Sequence, residues 1–195
     1  GVPEGEELYF EGIRAMVRVL YGRLLELSGK RLFLDKTPRY YFIAEDLARV
    51  FPNARMVFIL RNPLAVLSSV LDTWFENRVD LLLKGPNVCD LFRGPALLAN
   101  AVKKLQARAV IVRYEDLVND PASEVARMCG AMTLEFKEEM LEYGKKPVPK
   151  GRFGDQGSVN MQTRAVPTYL NSWTRNLCSS IERRSFAIEY IRQLG

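Results

Sequence analysis

The chain has no histidine at all. That absence removes most of the support for Ser-His or Cys-His catalysis within it, and for the usual zinc hydrolase sites. Cysteine is scarce too: Cys89, Cys129 and Cys178 are an odd number and show no metal-ligand spacing. The simplest expectation from that usage is a reduced, cytoplasmic setting. No apolar run approaches the length of a membrane span, and the first residues carry no signal-peptide pattern. A G-x-x-x-x-G-K-[ST] phosphate loop is missing, as are internal repeats and low-complexity tracts.

What is present suits a folded enzyme-sized unit. With 195 residues, 48% of them hydrophobic and 26% charged, the chain can bury a sizeable core, and residues 1–195 read as a single domain. The net charge of +5 is unevenly placed: residues 143–184 hold eight basic side chains against Asp155 and Glu182. Such a run is most commonly a solvated face, and it also suits a surface facing a small polyanion. No nucleic-acid-binding motif accompanies it, so nucleic acid is not an expected partner.

The centre of the pattern is RMVFIL at residues 55–60, followed at once by Arg61. Residues 56–60 form a short apolar run of the length expected for a strand buried on both faces. It stops at Arg61-Asn62-Pro63, where Asn62 can cap a helix and Pro63 suits its first turn. Leu64, Val66, Leu67, Val70 and Leu71 continue that helix. A strand that ends in arginine and turns straight into a helix is a good anion holder: the guanidinium offers a planar fork, and the first turn offers unpaired N–H groups. Ser69 falls on the Asn62 face about two turns later, adding a neutral donor. RLFLDK (31–36) reads as a second strand, ended by Thr37-Pro38, with a helix following through Val50. Lys36 thus stands at another strand end, and two cations at successive strand ends face the edge where parallel sheets bind ligands. Solvated strand-end charges fit the same geometry.

Elsewhere, residues 6–28 carry Leu8, Ile13, Met16, Val17, Leu20, Leu24 and Leu25 at helical spacing. That stripe predicts packing against the sheet, with Gly29 ending the helix. Residues 77–89 show no period and read as a loop. Gly94-Pro95 opens a helix through Lys104, ARAVIVRY (107–114) a third strand, and Asn119-Asp120-Pro121 a further helix. Residues 135–143 read as a short helix, and 145–159 as a long irregular stretch. Two helices finish the chain, with Trp173 a packing anchor.

KTP at 36–38, FPNARMVFILRNP at 51–63 and a serine eight residues after Arg61 resemble the sulfotransferases that use 3′-phosphoadenosine 5′-phosphosulfate (PAPS). The nearest branch is the one with tyrosylprotein and bacterial polyketide-type enzymes. VRYEDLVNDP (112–121) resembles the family's YEDL segment, and GRFGDQGSV (151–159) its loop over the nucleotide. The resemblance implies that Arg61 and Ser69 grip the 3′-phosphate, that Lys36 reaches the transferred sulfonate, that Tyr114 borders the nucleotide and that Arg152 meets a phosphate, with Ser158 donating locally. It implies PAPS as donor, its desulfonated product PAP, a hydroxyl-bearing acceptor of unspecified class and no metal. The family's glycine-rich 5′-phosphosulfate loop, which precedes the lysine with its own strand, is not found ahead of Lys36. No residue stands out as the base.

The fold expected is α/β in three layers. A central parallel sheet of RLFLD, RMVFIL and AVIVRY lies between helices, as in P-loop-NTPase-like sulfotransferases. The expected activity is sulfonyl transfer. Its rivals are a non-catalytic nucleotide-binding or interaction module on the same scaffold, and a P-loop kinase-like phosphotransferase.

Overall fold

The computed structural model describes residues 5–85, 87–142, 167 and 170–195. The chain opens on helix α1 (Gly5–Ser28), which Gly29 ends in the left-handed conformation expected of it, at φ 62°. A 3-10 turn (Pro38–Phe42) and α2 (Ala44–Val50) follow, then strand β1 (Met56–Leu60) and α3 (Pro63–Phe75). Next come α4 (Val79–Lys84), α5 (Asn87–Leu105), strand β2 (Ala109–Arg113), α6 (Tyr114–Asn119) and α7 (Pro121–Ala131). After a 3-10 turn (Glu138–Leu141), α8 (Ser172–Cys178) and α9 (Ile181–Leu194) complete the described elements.

β1 and β2 pair in parallel, Met56 opposite Ala109 and Leu60 opposite Arg113. The fold is therefore a mixed helix and sheet arrangement around a small parallel sheet. Several expectations need correction. Residues 32–37 take no part in the sheet: Leu32 and Leu34 are 65% and 87% exposed, so this apolar, strand-like sequence finds no ladder among the described residues. β1 is not buried on both faces, since Val57 and Ile59 are exposed while β2 buries Val110 and Val112. Residues 77–89 are largely helical rather than loop, because α4 buries Val79 and Leu82 in the main core.

That core gathers Leu67, Leu71, Val79, Leu82, Leu91, Leu177, Ala187 and Tyr190, so it joins α3, α4 and α5 to α8 and α9. Pro95 lies inside α5. Lacking an N–H, it leaves the Leu91 carbonyl without its helical donor. The buried Tyr190 hydroxyl, on α9, donates to that carbonyl at 3.2 Å. A helix defect thereby becomes a fixed point for the C-terminal helix.

α1 behaves differently. Among its residues only Phe10 is buried; Leu8, Met16, Leu20 and Leu24 are half or more exposed, against the expectation of a stripe packed on the sheet. The helix is anchored to α2 by polar contacts instead. Arg14 donates to the Val50 and Arg49 carbonyls at 3.2 and 2.9 Å, supplying donors that the end of α2 lacks.

Candidate functional site

The site is built from the register. With Leu60 opposite Arg113, the next residues of both strands, Arg61 and Tyr114, leave the sheet side by side at its C-terminal edge. The Arg61 guanidinium lies over the Tyr114 ring, 4.3 Å from its centroid. That contact orients the fork without consuming its donors. Among the described residues no carboxylate pairs with Arg61, although ion pairs engage many arginines elsewhere, such as Arg39 with Asp90 and Arg127 with Glu124.

Helix α3 starts at this arginine. Asn62 caps it as anticipated, its side chain accepting from the Leu64 N–H at 2.9 Å. The Asn62 N–H is itself taken by Glu115 Oε1 at 2.9 Å. The expectation of free N–H groups in this first turn therefore needs correction: two are occupied, and one of them faces a carboxylate. Side chains at the same edge offer further donors for an anion.

Those side chains meet in a cavity of about 330 Å³. Arg61, Ser68, Ser69 and Asp72 form one wall; Ser172, Trp173 and Asn176 of α8 form the other. The volume falls at the lower end of the range that small-molecule sites occupy. Arg61 and Ser69 thus line one cavity, and Tyr114 stacks beneath the first of them. Asp72 is a like charge for any anion bound here; its Oδ1 accepts from Asn77 Nδ2 at 2.9 Å.

Lys36 is exposed, in the irregular stretch ahead of the 3-10 turn, and is not part of the cavity lining. Its neighbour Asp35 accepts hydrogen bonds from the phenols of Tyr21 and Tyr40, at 2.5 and 2.7 Å. Tyr21 in turn stacks on Phe33 at 3.9 Å between centroids. The loop at 145–159, with Arg152 and Ser158, lies outside the described residues.

The sequence reading missed the α8 wall. In the sequence Trp173 reads only as a packing anchor, and nothing marks Asn176, which bonds to Ser68 across a separation of 108 residues. An asparagine between two helices has no periodic signature. No helix among the described residues is long and apolar enough to cross a membrane.

Comparison with known proteins is direct. Residues 3–138 match the sulfotransferase family. Over 139 residues the chain is 30% identical to nodulation protein NoeE of Sinorhizobium fredii, covering 61% of this chain and 32% of that protein. It is 23% identical over 197 residues to a putative protein-tyrosine sulfotransferase of Caenorhabditis elegans, covering 97% of this chain and 70% of the relative. Among solved structures, the sulfotransferase domain from the curacin biosynthetic pathway shares the fold, with a TM-score of 0.54 at 21% identity over 89% of this chain and 67% of that one. The chain thus spans about a third of the length of NoeE. The match, which extends over the strand, its arginine and the α3 helix that line the cavity, shows that this chain belongs to the sulfotransferase family.

Proposed function

We propose that this chain supplies the 3′-phosphate side of a PAPS site, and that the protein transfers the sulfonyl group of PAPS to a hydroxyl of an acceptor. The observation that carries this reading is the cavity in which Arg61, free of carboxylate partners among the described residues, stands with Ser69 while resting on Tyr114. A charge-bearing fork and a hydroxyl in one recess fit a phosphate monoester. For the whole protein we propose the three-layer architecture of P-loop-like sulfotransferases.

In the reaction, the acceptor oxygen forms a bond to sulfur as the bond from sulfur to the bridging phosphate oxygen breaks. The acceptor proton leaves to a base, and the electron pair of the broken bond stays on the departing PAP. Negative charge grows on the bridging oxygen, so a fixed cation lowers the barrier more than it strengthens binding. In this proposal that cation is Lys36, whose ammonium no described acidic residue engages. Arg152 is assigned to a phosphate.

Isothermal calorimetry tests the binding half. Adenosine 3′,5′-bisphosphate binds more tightly than 5′-AMP, and Arg61→Ala abolishes most of the difference. A charge-assisted contact of about 1.5–3 kcal/mol corresponds to roughly 10- to 100-fold. Equal affinity of the wild-type protein for the two nucleotides overturns the assignment.

A further inference from the structure

The cavity contains a buried hydroxyl that the spacing argument passes over. Ser68 is only 6% exposed, yet it lines the cavity beside Ser69. Its Oγ accepts a hydrogen bond from Asn176 Nδ2 at 2.9 Å, and the same nitrogen reaches the Ser68 carbonyl at 3.5 Å. The orientation of the Asn176 amide is decided on its other side. There Oδ1 accepts from Arg183, and a guanidinium can only donate. Arg183 is steadied in turn at the start of α9, its Nε donating to Ser180 Oγ at 3.2 Å.

Donation therefore runs one way, from Arg183 to Asn176 to Ser68. A hydroxyl that accepts still has its own proton to give. A serine inside a helix usually gives it to a carbonyl one turn back. Here no described residue receives a hydrogen bond from Ser68 Oγ.

We propose that Ser68 gives this proton to the anion held by Arg61 and Ser69, and that Asn176 and Arg183 act through it as positioning residues. The inference rests on reading the cavity as the 3′-phosphate site. A phosphate monoester has three terminal oxygens, enough for a guanidinium and two hydroxyls. Each bond in such a chain polarises the next when water is excluded, so Arg183 strengthens the Ser68 donor without entering the cavity. Asp72 opposes any anion from the same wall, which raises the need for donors on α3.

The test is calorimetry with adenosine 3′,5′-bisphosphate and 5′-AMP on wild type, Arg61→Ala, Ser68→Ala, Asn176→Ala and the Ser68→Ala/Asn176→Ala pair, with thermal melts confirming that each is folded. Ser68→Ala lowers affinity for the bisphosphate about tenfold and leaves 5′-AMP binding unchanged. Asn176→Ala does the same more weakly, and the pair is no worse than Ser68→Ala alone, as expected of residues acting in series. A purely structural latch would instead weaken both nucleotides alike. If Arg61→Ala loses the 3′-phosphate preference but Ser68→Ala keeps it, or if the two α3–α8 substitutions simply add, the relay is wrong and the cavity assignment stands. A wild-type protein without that preference overturns both.

Discussion

The first and last helices of the chain have much in common on paper and are used in opposite ways. α1, with 24 residues, repeats apolar side chains over its whole length but buries only Phe10. α9 has 14 residues, buries Ala187 and Tyr190, and sets Phe186 and Leu194 against the main core. The difference lies outside both helices. α9 meets α3, α4, α5 and α8, whereas α1 meets α2 and is fixed there by Arg14 and by ion pairs from Arg49 to Glu6 and Glu7. Helical period tells which face is apolar; only tertiary contact tells whether that face is covered.

The largest expected effect tests that contrast on one residue type. Leu71 is fully buried in the main core and Leu20 is 54% exposed on α1. Leu71→Ala costs about 2–5 kcal/mol through lost burial and the cavity it leaves. Leu20→Ala changes stability by about 0.5 kcal/mol or less, since an exposed position loses little contact and alanine favours the helix. Urea unfolding of the two variants measures both. Equal losses would mean that α1 is covered in solution and that the contrast fails.

A smaller effect concerns the exposed half directly. Lys36 lies in it, outside the cavity that Arg61 and Ser69 line. If it acts on charge that grows during transfer, Lys36→Ala lowers turnover by about 10², roughly 2.7 kcal/mol of barrier, while PAP binding changes little. The assay is sulfonyl transfer from PAPS by the full-length protein. Unchanged turnover would make Lys36 an ordinary surface charge and leave the chemistry wholly on the packed side.

The same division governs what the sequence disclosed. β1, the Asn62 cap and α3 were legible because a short apolar run, a capping residue and a proline agree locally on one answer. Ser69 in the same recess as Arg61 was legible because helical geometry puts it on the face of Asn62, about two turns on. Tyr114 beside Arg61 follows once the two strands are in parallel register. Residues 31–36 misled because a short apolar run describes fitness for a sheet, not membership of one. The exposed β1 side chains misled for the same reason. Asn176 was beyond reach, since its partner Ser68 lies in a different helix and no local pattern links them. In each miss the deciding contact was long-range.

Two tyrosines carry the contrast to its finest level. Burial pushes the Tyr190 phenol from 10.0 up to about 12. Tyr21 is raised to about 12 as well, but first by its hydrogen bond to Asp35 and only then by burial. A folded-state value raised above the unfolded one stabilises the protein fully below pH 10, and the benefit is lost as pH rises toward 12. For Tyr190 that loss is tied to the core, because a charged phenol there must forsake both its apolar surroundings and the Leu91 carbonyl. Its ionisation should therefore coincide with unfolding, and Tyr190→Phe should flatten the decline of the urea midpoint between about pH 10 and 12. Tyr21 should ionise within the folded protein. Asp35→Asn removes the carboxylate that resists ionisation of both phenols bonded to it, so an ultraviolet titration should show Tyr21 and Tyr40 moving back toward 10 while stability at neutral pH barely changes. A Tyr21 signal unmoved by Asp35→Asn would mean that burial, not the carboxylate, sets its value, and that the α1 side is better packed than its exposed stripe indicates.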